Sequence, residues 1–183
     1  VKDSRLEAVR NTITELFVGY SNFKVQRNPK AFIIEKDGLK LDFNQLSDGE
    51  KSYMALVFDI ARKLAMTHAS MDKPLQGDGI VLIDEIDLHL HPTWQREVME
   101  NLHRIFPNCQ FFISTHSPHV VSCVNMRQGH KLILISRGES IEWQGNNFGR
   151  ESQMILADIF NMESFRSPAV QIHIDKIWEC LKN

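Results

Sequence analysis

Residues 79–91, Gly-Ile-Val-Leu-Ile-Asp-Glu-Ile-Asp-Leu-His-Leu-His, constrain this chain more than any other stretch. Four consecutive apolar residues, Ile80 to Ile83, end abruptly in adjacent carboxylates, Asp84 and Glu85. An uninterrupted, largely β-branched run predicts a strand buried on both faces, as in a parallel sheet. Chemistry in such sheets sits beyond the carboxyl ends of the strands. Two acids delivered there suit a division of labour in which Asp84 holds Mg²⁺ and Glu85 handles a water. Acids are also routine in turns, so the surrounding residues have to decide.

With 183 residues, 43% hydrophobic and 24% charged, the chain fits one globular domain with a substantial core. A net charge of -2 and the lack of any Lys/Arg run give no global signal for nucleic acid. Cys109, Cys123 and Cys180 are widely spaced and odd in number, which predicts reduced thiols and a cytoplasmic location. No apolar stretch approaches the roughly 18 residues of a membrane span. The first residues have no signal-peptide apolar core. They also lack an initiator Met, so a piece of a longer chain is expected.

Leu6, Val9, Ile13, Leu16 and Phe17 recur at helical spacing over residues 4–18, with Gly19 as the stop. Residues 23–26, 31–35 and 39–43 read as short strands, the last two joined by the turn Lys36-Asp37-Gly38. Leu46-Ser47-Asp48-Gly49-Glu50 then leads into a helix over residues 53–66. Ser47 or Asp48 can cap it, and Gly49 allows close backbone approach. A hydroxyl and unpaired amides at a helix start make an anion site available. After the acidic strand, Pro92 opens a helix to Ile105, and residues 110–114 form a second buried strand ending in Thr115-His116-Ser117-Pro118. A short helix (119–124), a hairpin (131–136 and 140–143) and two amphipathic helices (150–160 and 169–181) complete the chain.

Helix-containing crossovers bring strand ends to one sheet edge, so Glu85 and His116 are expected to face one crevice. That set suits nucleoside triphosphate hydrolysis: Asp84 on Mg²⁺, Glu85 on the attacking water, His116 at the γ-phosphate.

These residues carry a family resemblance. Leu46 to Glu50 resembles the signature motif of ABC-type ATPases. Residues 80–85 resemble their Walker B strand with its catalytic glutamate, and Ser114-Thr115-His116-Ser117-Pro118 their histidine switch. Asp84-Glu85-Ile86-Asp87-Leu88-His89-Leu90-His91-Pro92-x-Trp94-Gln95 and Phe106-Pro107-x-x-Gln110-Phe111 resemble the AAA-type, SMC-like ATPases. That group includes overcoming-lysogenization-defect nucleases and the ATPase subunits of Septu-type and retron-linked antiphage systems. The resemblance implies an α/β fold, a partial P-loop NTPase (ABC-type head) with parallel core strands, a small antiparallel N-terminal sheet and C-terminal helices. The expected divisions are 1–45, helix plus small sheet; 46–145, core lobe; and 146–183, helical extension.

By position, the resemblance places Ser47 and Gly49 on the γ-phosphate bound by an opposite protomer, and Asp87 in the loop that crosses the dimer interface. It implies an ATP hydrolase that needs ATP and Mg²⁺, forms a homodimer around ATP, and regulates a DNA-targeting or nuclease effector in antiphage defence. Implied partners are an HNH-type nuclease, a reverse-transcriptase/ncRNA complex, or DNA, with no membrane. An SMC-like repair or recombination ATPase and a non-catalytic docking module for a nuclease are the alternatives. Two departures stand out. Asp48 occupies a position where transporters have Gly. None of the nine glycines stands in Gly-x-x-x-x-Gly-Lys-Ser/Thr. The chain is therefore expected to be a C-terminal lobe whose P-loop lobe lies elsewhere, and to be inactive alone. His89 and His91 invite a metal reading with His116 or His119, but no third ligand has zinc-site spacing. Trp94, Phe106, Phe111 and Phe112 are expected in the core.

Overall fold

The computed structural model describes residues 10–12, 14–162 and 168–182. Residues 10–12 and 14–16 are helical (α1); the rest of the helix expected over 4–18 lies partly outside the described residues. Three antiparallel strands follow, β1 (Tyr20–Arg27), β2 (Lys30–Lys36) and β3 (Leu39–Asp42), in that spatial order. Asp37 (φ 49°) and Gly38 (φ 80°) turn β2 into β3. Two left-handed residues are what a two-residue hairpin needs to match strand twist.

Helix α2 (Asp48–Thr67) buries Tyr53, Met54, Val57, Ile60, Ala61, Leu64 and Ala65, spaced three or four apart along one stripe. The small sheet packs on it through aromatic rings. Phe58 meets Phe23 at 5.6 Å and Phe32 at 5.5 Å, and Phe17 meets Tyr53 edge-on at 5.0 Å. Strands β4 (Gly79–Ile83) and β5 (Cys109–Ile113) pair in parallel, from Gly79 opposite Cys109 to Ile83 opposite Ile113. Between them runs α3 (Pro92–Ile105), started by Pro92 in its first turn and anchored by Val98 and Leu102.

The expectation that β4 and β5 are buried on both faces is not met. Val81, Ile83, Phe111 and Ile113 pack on the core, but Ile80 is 69% exposed, Leu82 78% and Phe112 54%. Side chains alternate along a strand, so among the described residues one face of this pair packs on the core and the other is open. An unbroken apolar run is the pattern of a strand covered on both faces, and among the described residues only one face is covered. Phe112, expected in the core, lies on the open face, whereas Phe106 is buried and Trp94 and Phe111 are partly buried.

The chain divides into two compact units, Val1–Val120 and Val121–Asn183. The short helix α4 (Pro118–Val121) runs across that boundary. The second unit contains the hairpin β6 (Ile133–Ser136) and β7 (Glu139–Glu142), α5 (Ser152–Asp158) and α6 (Pro168–Lys182). Its core is Val121, Ile155 and Ile159, with Leu132, Leu134, Trp143 and Phe160 around them. Buried Asn147 donates through Nδ2 to the carbonyls of Val121 (2.6 Å) and Val124 (2.9 Å). Among the described residues, no helix is long and apolar enough to cross a membrane.

Candidate functional site

The parallel pairing of β4 and β5 continues past both strand ends. Ser114 N donates to Ile83 O (2.9 Å), and Ile86 N donates to Ser114 O (3.1 Å). Between these rungs the Ser114 hydroxyl accepts from Glu85 N (2.8 Å) and donates to Asp84 Oδ1. One side chain thus fixes both acids relative to the neighbouring strand. Both carboxylates remain exposed, and Asp84 Oδ2 has no protein partner among the described residues. Glu85 sits at φ 49°, a left-handed backbone that ordinary residues rarely adopt. Strain of this kind collects at functional sites.

The loop after β5 is fastened to the loop after β4. Asp87 Oδ1 accepts from the Thr115 hydroxyl and from His116 N (3.2 Å). Ser117 Oγ donates to Gln95 Oε1 (2.7 Å), and Gln95 Nε2 donates to Leu90 O (2.8 Å) and Asp87 O (3.3 Å). The structure therefore brings Asp84, Glu85, Asp87 and the His116 backbone into one hydrogen-bonded corner, with the His116 side chain exposed. One oxygen of the Asp87 carboxylate is thus engaged within its own chain.

Ser47 and Gly49 lie apart from that corner, against the 89–91 segment. Ser47 is the N-cap of α2, and it forms a reciprocal capping box with Glu50. Ser47 N donates to Glu50 Oε2 (2.7 Å), as does Ser47 Oγ (2.7 Å), and Glu50 N donates back to Ser47 Oγ (3.4 Å). The other carboxylate oxygen, Oε1, accepts from Lys36 Nζ (2.5 Å) and from the Tyr20 hydroxyl. Burial opposes ionisation of Glu50, yet the hydrogen bonds from Lys36, Tyr20 and Ser47 outweigh it and hold the carboxyl down to about 2. The same bond to Glu50 raises the Lys36 pKa.

Asp48 turns outward to Lys51 (2.8 Å), whose hydrogen bond lowers its pKa; the helix cap is Ser47. A Cβ on Gly49 would come closer than 3.0 Å to the carbonyl oxygen of His89, itself at φ 64°. The close approach that Gly49 permits is thus to a backbone carbonyl of its own chain. Ser47, Gly49, His89, His91, Thr93 and Trp94 line an open depression of about 680 Å³. His91 caps α3, its ring nitrogen accepting from Thr93 N (3.3 Å).

Among the described residues, no cluster of three or more His, Cys, Asp or Glu could hold a metal ion. A closed zinc-type cage needs such a set. Mg²⁺ is different: it takes one or two carboxylates and completes its shell with phosphate and water oxygens. The exposed Asp84 carboxylate, with one oxygen held and the other open, fits that donor set.

Sequence reasoning placed Ser114 and Glu50 within motifs without giving them a role, and missed Lys36 and Tyr20. Ser47-x-x-Glu50 is itself a capping-box signature and could have flagged Glu50. Tyr20 lies 30 residues from Glu50, and Ser114 lies 30 from Asp84, so no local pattern joins them.

Residues 3–122 match the family described as "AAA domain, putative AbiEii toxin, Type IV TA system". The chain belongs to that family. It is 38% identical over 162 residues to the "Retron Ec83 probable ATPase" of Escherichia coli, covering 88% of this chain and 29% of that protein. It is 39% identical over 179 residues to the "Retron Vc95 probable ATPase" of Vibrio cholerae serotype O1 biovar El Tor, covering 96% and 34%. With the Septu protein PtuA of Bacillus thuringiensis it shares 28% over 158 residues, covering 82% and 39%. The chain thus spans between 29% and 39% of the length of these relatives.

A solved structure described as "Structural biochemistry of ATP-driven dimerization and DNA stimulated activation of SMC ATPases" is similar in fold. It has TM-score 0.58 and 19% identity, over 87% of this chain and 93% of that one. An SmcHead bound to the C-winged helix domain of ScpA gives TM-score 0.50 and 17% identity, over 76% and 42%. The fold is that of an SMC ATPase head, an α/β P-loop NTPase type, with a parallel strand pair and antiparallel sheets.

Proposed function

We propose that this chain is the hydrolytic lobe of an ATPase head that dimerises around two ATP molecules and switches a nuclease or DNA-targeting effector in antiphage defence. The observation that carries the reading is the Ser114 tie. It sets Asp84 and Glu85 side by side at the carboxyl ends of two parallel strands, with the His116 loop fastened beside them by Asp87.

In this reading Asp84 holds Mg²⁺, which supplies charge neutralisation to the phosphates when bound. The Glu85 carboxylate orients the attacking water and takes its proton. Ser114 keeps that carboxylate's backbone in place, and the exposed His116 ring contacts the γ-phosphate. Ser47 and Gly49 present the start of α2 to the nucleotide of the opposite protomer, and Asp87 lies in the segment that runs along the dimer interface. The P-loop comes from a separate lobe, so this chain alone does not turn over ATP. The open apolar face of Ile80, Leu82 and Phe112 supports that division, because an added layer would cover it. Kinship with proteins named as retron ATPases and as a Septu protein supports the defence role.

The test compares the complete gene product with its Glu85→Gln variant, measuring ATP hydrolysis and dimerisation. Turnover should fall by about 10²–10⁴ while an ATP-bound dimer accumulates. A variant that neither loses turnover nor accumulates dimer sinks the assignment.

A further inference from the structure

We propose that Glu50 and Lys36 are positioning residues for the Ser47 hydroxyl, parking its hydrogen on the protein until a phosphate takes it and neutralising the carboxylate that stays beside that phosphate. The inference rests on the reading of Ser47 as a γ-phosphate contact.

A serine hydroxyl has one hydrogen to donate. Here Ser47 Oγ gives it to Glu50 Oε2 at 2.7 Å. A phosphate oxygen at neutral pH only accepts, so Ser47 must release Glu50 before it can bind the nucleotide. The loop is not lost in that exchange. Ser47 N still donates to the same Oε2 at 2.7 Å, and Glu50 N still reaches the Ser47 lone pair at 3.4 Å. The hydroxyl alone rotates between two acceptors.

The exchange leaves a buried carboxylate next to a polyanion, which by itself repels. Glu50 is 8% exposed, so water does little to screen it. What offsets the charge is the ammonium of Lys36 at 2.5 Å, with the Tyr20 hydroxyl on the same oxygen. Lys36 ends β2 and Tyr20 begins β1, so the antiparallel sheet determines the electrostatics of a loop it does not otherwise enter. Residues that touch no nucleotide thereby tune its capture.

The test uses the complete gene product as wild type, Lys36→Arg, Lys36→Met and the double variant Lys36→Met/Glu50→Gln. ATP-driven dimerisation is followed by light scattering across ATP concentration, with kcat at saturating ATP and melting without nucleotide measured alongside. Lys36→Met should raise the half-maximal ATP concentration about tenfold and change kcat less than about twofold, while Lys36→Arg stays near wild type. The double variant carries neither charge and should return to within about threefold of wild type. A purely structural role predicts the opposite order, with the double variant at least as impaired as the single.

Wild-type ATP dependence in Lys36→Met overturns the proposal. So does a double variant more than about threefold from wild type, a measurement that stands even where Lys36→Met fails to fold. A wild-type protein that never dimerises with ATP removes the parent reading as well. ATP-driven dimers indifferent to Lys36 remove only this one.

Discussion

Replacing Gly49 with alanine separates two reasons for a glycine at the start of α2. Gly49 is the second residue of the helix, with Ser47 as cap, and its φ is not in the left-handed region. Its backbone therefore suits alanine, which on helix propensity and unfolded-state entropy alone should stabilise the fold by about 0.5–1 kcal/mol. The new methyl, however, would sit closer than 3.0 Å to the His89 carbonyl oxygen, with the Trp94 ring at an ordinary 3.8 Å. That carbonyl cannot easily retreat. His89 is already at φ 64°, the next residue, Leu90, is buried, and Gln95 holds the Leu90 carbonyl at 2.8 Å. Overpacking against fixed backbone costs about 1–3 kcal/mol. A contact this short places the cost in the upper half of that range, so the net is a loss of about 1–2.5 kcal/mol, or a fall in Tm of roughly 2–10 °C for a chain of this size. Differential scanning calorimetry of the chain reads the sign directly. A Tm that is unchanged or raised would refute the close approach and leave Gly49 as a simple helix-start glycine.

Two further outcomes follow from buried polar groups. The Glu50 carboxyl is lowered from 4.5 to about 2, so the stability it contributes is complete above about pH 4.5 and is lost as pH falls through 2. The loss amounts to no more than about 3.5 kcal/mol; denaturant curves of wild type and Glu50→Gln should converge as pH drops over that window, and parallel curves would contradict the pairing. Asn147→Asp exchanges a donor for an acceptor facing the Val121 and Val124 carbonyls, with Asn147 only 1% exposed. It should destabilise the second unit by at least about 2 kcal/mol, seen as faster amide exchange across Ser152–Asp158; unchanged exchange would mean the amide is dispensable.

What could be read in advance follows the range of the physics involved. Asp84 and Glu85 at a strand end, Pro92 opening α3, and Asp37-Gly38 turning a hairpin are local events, each dictated within a few residues. The apolar run Ile80 to Ile83 gave the right element and the wrong surroundings. Composition records how many layers a strand is built to meet, whereas the described residues cover one face. Asp48 offered itself as a cap equal to Ser47, and only the reciprocal bond with Glu50 separates them. The fastening of Thr115 and His116 by Asp87 depends on β4 and β5 lying adjacent in parallel, which no pattern along the chain expresses.

Glu85 occupies a left-handed backbone conformation that glycine adopts freely and most L-residues adopt at a cost of about 1–2 kcal/mol, asparagine at less. The position thus receives contradictory instructions. Folding prefers a residue with little or no side chain, and a hydrolytic role demands a carboxylate. Selection of variants for heat resistance alone would drift toward Glu85→Gly or Glu85→Asn, returning proteins that melt later and, under the role proposed for Glu85, no longer hydrolyse ATP.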